Sequence, residues 1–514
     1  MRGLYSNDSE MDLFSYLAPF LAHNHNLCCI EVTFSKMAMN METIVSTLSQ
    51  PRKSRLEQIN FSNNSIRDTY AATLLNGFNE MPGLCYLLEL CLARNEIGLV
   101  GCTALCNLLT NSKSNIQYLD LRGNCLDDEC IDILIDALCK NVRSSVKKLF
   151  LGAQKYVTPQ GWLEFTAFLS KPSCSLEAVA LLGGRALHYG SKALASLAIN
   201  KTLRHVDIVG CSFITLSGWR GFSSCLRASD SVLEFLEIRN STLNDEGAVL
   251  FDAMSENSSL RNLNASNNPD VTSEGWIQCL RLASAAEFHL EHIDFSYNNI
   301  DDEGVGILVS LLHQSSSVSS LSLYDNIMIT SNGWIMLADI LLPTSSSKLQ
   351  ELCIGRHRAG DEEEFNNNER IMNDDVIIRY ANVLASNASL NVLKSGDDYR
   401  FSRNGWDALV CAFRDTSSIA STFNSNHTLQ EFHVPFDDAP NDVHGLVRKN
   451  LNKDKFAVAR QKILDGHFDD LEAIIRIFGQ MDVNFLPYAF SWMGRDSDGF
   501  SVMYYCLRYM SWMN

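Results

Sequence analysis

The stretch IQYLDLRGNCL, residues 116–126, sets Ile116, Leu119, Leu121, Asn124 and Leu126 at positions 1, 4, 6, 9 and 11. The spacing returns in LLELCLARNEI, carried by Leu87, Leu90, Leu92, Asn95 and Ile97, and again in LEHIDFSYNNI from Leu290. Alternation at positions 4 and 6 turns two apolar side chains to one face of a short strand, while positions 3, 5 and 7 turn to the other. The asparagine at position 9 can donate to and accept from backbone groups left unpaired where the chain leaves the strand. A motif recurring at a steady stride marks a structural unit before it marks chemistry.

Fourteen units start at Leu27, Leu56, Leu87, Ile116, Val146, Leu176, Leu203, Leu233, Leu260, Leu290, Val318, Leu349, Leu390 and Leu429. Spacings run from 27 to 31 residues up to Leu349 and then become 41 and 39. These residues resemble the leucine-rich repeat family, and the unit length its ribonuclease-inhibitor subclass. The resemblance implies an α/β solenoid, a horseshoe with parallel strands on the concave face and helices on the convex face. About 14 repeats then form the solenoid over 27–436, between a helical cap at 1–26 and another at 437–514. The tail FLPYAFSWMGRDSDGFSVMYYCLR, residues 485–508, resembles the tails of uncharacterised algal leucine-rich repeat proteins.

The helix after each strand can be placed by its cap. In NNIDDEGVGILVSLL, Asp301 is the expected N-cap, Asp302 and Glu303 suit the positive end of the helix dipole, and Gly304 falls at the third helical position. The same register in DVTSEGWIQCL, 270–280, gives cap Thr272, then Gly275 and Trp276, and it places Pro159 of a sister unit at the first helical position, where proline is favoured. Gly-Trp recurs at 161/162, 218/219, 275/276 and 333/334, and a fifth copy stands at 405/406. The residue before each cap is apolar (Val157, Ile214, Val271, Ile329, Phe401), which predicts a hydrophobic staple against the tryptophan. The step from position 9 to the third helical residue is 7 in Trp units and 6 in the others, where that residue is a glycine or, at 70 and 130, Tyr70 and Cys130. The expectation is that the extra residue widens the gap between turn and helix and the indole fills it. The asparagine ladder is expected to break at Gln154, Gly184, Cys211 and Ser241.

The long Leu349 unit owes its excess to RHRAGDEEEFNNNERIMND, 356–374. It reads as a solvated loop, either a tolerated insertion or an acidic arm for a basic partner. Array ends need covering. Asp12 to Ala22 is apolar enough for one end, and helices in DKFAVARQKILDGH, LEAIIRIFGQM and DGFSVMYYCLRYM suit the other.

A formal charge of −18 opposes nonspecific nucleic-acid binding, which needs a basic footprint. No run of about 18 apolar residues predicts a membrane span, and the first residues lack an apolar leader core. The expectation is a soluble protein of the cytoplasm, or the nucleus, whose 16 scattered cysteines stay reduced and whose sequons, such as Asn240-Ser-Thr242, carry no glycan. GGRALHYGSK, 183–192, has the wrong spacing for a phosphate loop. His23/His25, His289/His292 and Cys102/Cys106 offer two ligands where zinc needs three or four. GRDSDG, 494–499, lacks the later acidic ligand of a calcium loop. No catalytic residue, cofactor or metal is expected.

The concave face is the better candidate. Asp120, Asp207, Glu237 and Asp294 stand at position 5, and Asp207 and Glu237 fall on adjacent strands, where like charges are mildly destabilising. Tyr118, Phe150, Phe235 and Tyr324 flank this row, with His292 at position 3 of a later unit. These nine residues are the candidate partner-binding set: an acidic stripe with aromatic anchors for a basic protein surface. Alternatively the face is merely solvated, with part of the stripe neutralised by internal pairing, because Arg122 and Arg239 sit two residues from Asp120 and Glu237 on the same face. The reading is a noncatalytic protein-interaction module acting as inhibitor, scaffold or adaptor, or else a GTPase-activating regulator of a small GTPase. Partner identity and oligomeric state stay open.

Overall fold

Each of the fourteen starts is followed, two residues on, by a strand. They are β1 (Cys29–Glu31), β2 (Gln58–Asn60), β3 (Glu89–Cys91), β4 (Tyr118–Asp120), β5 (Lys148–Phe150), β6 (Ala178–Ala180), β7 (His205–Asp207), β8 (Phe235–Glu237) and β9 (Asn262–Asn264). There follow β10 (His292–Asp294), β11 (Ser320–Ser322), β12 (Glu351–Ile354), β13 (Val392–Ser395) and β14 (Glu431–His433). The computed structural model describes residues 28–32, 55–81, 83–141, 145–180, 197, 200–210, 214–228, 230–241, 243–283, 289–356, 372–396, 401–433, 441–468 and 491. The chain divides into two compact units, 1–289 and 290–514, the first holding β1 to β9 and the second β10 to β14. Within each unit the strands pair in parallel and in chain order.

The alternation sets the core. Leu119, Leu121, Leu236 and Ile238 at positions 4 and 6 are wholly buried, while Tyr118 and Phe235 at position 3 keep solvent contact. Each unit is thus an α/β leucine-rich solenoid layer, with one strand face packed under the helices and the other left open.

The turns after β2 to β5 and β7 to β11 repeat one conformation. The residue before position 9 lies in the left-handed region: φ is 57° at Ala153, 58° at Tyr297 and 67° at Gly123. It costs a non-glycine residue energy, and the next side chain offsets that by satisfying the turn. Asn124 donates to the carbonyls of Leu92 (3.0 Å) and Leu121 (2.8 Å) and accepts from the Ile97 amide at 3.1 Å. The ladder does not break at Gln154 or Ser241. Gln154 reaches the carbonyls of Leu121 (2.7 Å) and Leu151 (2.6 Å), and Ser241 the carbonyls of Ile208 and Arg239. The longer amide of Gln154 also accepts from the Leu126 amide at 3.3 Å, and the single hydroxyl of Ser241 makes the donor half of the contact. Gly184 and Cys211 lie outside the described residues.

The helix starts follow the expected register. Asp301 accepts from the Gly304 amide at 3.0 Å, Thr272 from the Gly275 amide at 3.1 Å, and Pro159 is the first residue of its helix behind cap Thr158. All five indoles, Trp162, Trp219, Trp276, Trp334 and Trp406, are buried. Phe401 meets Trp406 edge-on at 5.3 Å, as a staple should. The glycine has a second cause, absent from the sequence reading. An aspartate at the start of the preceding repeat's helix reaches across: Asp302 accepts from the amide (2.8 Å) and hydroxyl (2.5 Å) of Thr330, and Asp245 from those of Thr272, both at 2.8 Å. Asp128 does the same for Thr158, and Asp374 for Ser402. A Cβ on Gly161, Gly275 or Gly333 would collide with that carboxylate.

Of the caps, the helices Asn441–Lys449 and Lys455–His467 are described, the latter capped by Asp454. Residues 12–22, residues 357–371 of the insertion, and the remaining tail beyond 468 apart from Ser491 lie outside the described residues.

Candidate functional site

In the first unit, β4 to β8 bring six of the nine expected residues onto one face. Register places Asp120 beside Phe150, Phe150 beside Ala180, Ala180 beside Asp207, and Asp207 beside Glu237. Ala178 and Ala180 make β6 a low strand, so larger groups lean over it. Tyr118 and Phe150 have ring centroids 5.2 Å apart, Phe150 meets His205 edge-on at 6.5 Å across β6, and His205 stacks on Phe235 at 5.5 Å. Four rings from four strands form a continuous row. Its far end, Phe235, is 40% exposed. His205 is a member that the sequence reading missed; its signal was the same position 3 that marks Tyr118 and Phe235.

The acidic stripe is corrected in two respects. Asp120, Asp207 and Phe150 are not exposed: Asp120 and Asp207 are each 4% exposed, and Phe150 is buried beneath its neighbours. Nor is the stripe acidic in sum, since Asp120, Asp207 and Glu237 share the face with Arg122, Arg239 and the exposed Lys148. Arg122 grips Asp120 with two nitrogens, Nε to Oδ1 at 3.0 Å and NH2 to Oδ2 at 2.6 Å, and lays its guanidinium 5.2 Å from the Phe150 ring centre. Hydrogen bonding to Asp120 raises the Arg122 pKa, and burial pushes the Tyr118 phenol up to about 12. Glu237 faces His205 at 3.7 Å and Arg239 at 3.2 Å; its contact with His205 holds its pKa down against the effect of burial.

Asp207 differs. Its Oδ1 is sealed from solvent and has no hydrogen-bond partner. Burial, helped by the Glu237 charge and opposed by Arg239, His205 and Arg122, pushes its carboxyl up to about 6.

The other three expected residues belong to the second unit. Asp294 is satisfied locally, accepting from the amide (3.0 Å) and hydroxyl (2.6 Å) of Ser296. Tyr324 meets Tyr297 edge-on at 5.5 Å, and His292 is exposed. The fourteen described cysteines are free thiols. Among the described residues, no group of three or more His, Cys, Asp or Glu is placed to hold a metal, and no helix is long and apolar enough to cross a membrane.

Residues 83–106, 112–129 and 287–306 match the family model described as Leucine Rich repeat. The chain is a leucine-rich repeat protein. Its type is ribonuclease-inhibitor-like: the ribonuclease inhibitor of Mus musculus is 28% identical over 298 residues, covering 56% of this leucine-rich repeat chain and 62% of the inhibitor. Protein CARMIL of Dictyostelium discoideum is 28% identical over 242 residues, covering 40% of this chain and 23% of that protein. The chain therefore spans less than two thirds of either relative. Among solved structures, the yeast Rad7 and Elc1 complex aligns with a TM-score of 0.36 at 16% identity, over 72% of this chain and 86% of that one.

Proposed function

We propose that this leucine-rich repeat protein binds a protein partner on the open strand face of its first unit, without chemistry of its own, around Tyr118, Phe150 and Phe235. The observation that carries the reading is the aromatic row. Side chains at positions 3 and 5 point away from the helices, so folding gives no core for Tyr118, His205 and Phe235 to fill, yet they assemble into a row ending in a half-exposed ring. Large, stiff aromatic groups beside arginine are the composition of interface hot spots. The relative is named for inhibiting a ribonuclease, itself a protein, and that analogy favours the same class of partner. Asp120 and Glu237, paired with Arg122 and Arg239, serve as fixed polar edges that set register.

The test is site-specific photo-crosslinking in native extract. A photoreactive residue at 235 or 118 is expected to give discrete adducts with another protein, whereas the same group at Val100, 54% exposed on the helix Leu99–Thr110, is expected to give none. Adducts from the helix side alone would contradict the reading.

A further inference from the structure

Across β4 to β8 the open face of the first unit holds three acids, and two of them have fixed partners. Arg122 covers both oxygens of Asp120, and Glu237 lies between His205 and Arg239. Asp207 alone among the three has a sealed oxygen that no donor reaches. The strand beside it, β6, contributes only Ala178 and Ala180, which have nothing to donate. The charged or titratable groups around it are His205 on its own strand, Glu237 and Arg239 from β8, and Arg122 from β4. None of them hydrogen-bonds to it. A buried carboxylate left without a donor is costly, and the neighbouring Glu237 charge adds to that cost. The unpaired Asp207 charge makes the place attractive to a cation, and Phe235, stacked on His205 two residues from Asp207, offers a ring at which cations also settle.

We propose that Asp207 is the receptor carboxylate for a single lysine or arginine side chain of the protein partner. The inference rests on the binding face described above and narrows its basic component from a stripe to one group. The entering side chain parts the groups that cover Asp207 and supplies the missing donor, while Arg122 and Arg239 stay with their own carboxylates. A neutral donor would satisfy the hydrogen bond and leave the Asp207 charge uncompensated, so a cation is the better complement.

The test uses the full chain and acetylated, amidated tripeptides Gly-Arg-Gly, Gly-Lys-Gly and Gly-citrulline-Gly, with spermidine as a free polyamine, read by saturation-transfer NMR. The arginine and lysine peptides are expected to bind, the citrulline peptide about tenfold more weakly or worse, and Asp207→Asn to lose about tenfold or more of the arginine peptide's affinity. Glu129→Gln, on the helix side, is expected to bind as the parent does, and circular dichroism verifies the fold of both variants. Equal affinity in Asp207→Asn, equal affinity for citrulline, or no binding to the parent overturns the proposal. Preferred binding of spermidine overturns the assignment to a protein side chain. If Asp207→Asn leaves peptide affinity unchanged while crosslinks from position 235 persist, the anchor fails and the binding face stands; loss of specific crosslinks from 235 and 118 removes the face itself.

Discussion

Asp207 carries its charge at the expense of stability. Burial raises its carboxyl from an ordinary 3.8 to about 6, so between roughly pH 4 and pH 6 the folded protein holds more protons there than the unfolded chain does. Stability therefore falls as pH rises through that window, and the full deficit, roughly 3 kcal/mol at 1.36 kcal/mol per unit, is present at neutral pH. Asp207→Asn removes the charge and keeps the shape. It is expected to raise the free energy of unfolding by about 1–3 kcal/mol near pH 7 and to bring almost nothing near pH 4. Urea denaturation of parent and variant at both pH values measures this; a variant less stable than the parent near pH 7 would show that Asp207 has a donor in the folded protein. A residue that weakens its own fold is where function is to be sought.

At the scale of the element, the repeating contact is the carboxylate that crosses from one helix start to the next. Gly275 is small because Asp245 occupies the space a methyl group would take, whereas Gly306, inside the helix Asp302–Gln314, faces only the Met336 sulphur at 3.3 Å. Gly275→Ala is expected to destabilise by about 1–3 kcal/mol through that collision, while Gly306→Ala is expected to be neutral or to gain up to about 1 kcal/mol of helix propensity. Thermal unfolding of the two variants decides it, and equal effects would contradict the explanation. The strand starts, caps and staples were legible because each is a contact within one repeat, readable from Pro159 or Asp301 and its near neighbours. The crossing aspartate was not. Asp302 reads equally well as a charge suited to its own helix dipole, and nothing in the chain marks its partner Thr330 in the next repeat. Asn257-Ser-Ser, another sequon for which no glycan is expected, is a turn in which Asn257 accepts from the Ser259 and Leu260 amides and donates to the Leu226 carbonyl.

At the scale of the molecule, the net charge of −18 says little about the candidate site, where three acids meet three bases. Charge sums over a whole surface, while a site is set by which groups one sheet face brings together. The pairings of Asp120 with Arg122 and Glu237 with Arg239 were legible because both partners lie two residues apart on one strand face. The row of rings was legible only in part, since its continuity depends on His205 and on the low alanine strand β6 between Phe150 and His205. The central claim is that the first unit's open face, through these rings, is where a protein binds. An alanine scan of the nine residues Tyr118, Asp120, Phe150, Asp207, Phe235, Glu237, His292, Asp294 and Tyr324 against the crosslinked partner tests it most directly. The account predicts affinity losses of about tenfold or more at Tyr118, Phe150 and Phe235 and less than about threefold at His292, Asp294 and Tyr324; losses concentrated in the second trio, or spread evenly over all nine, would contradict it.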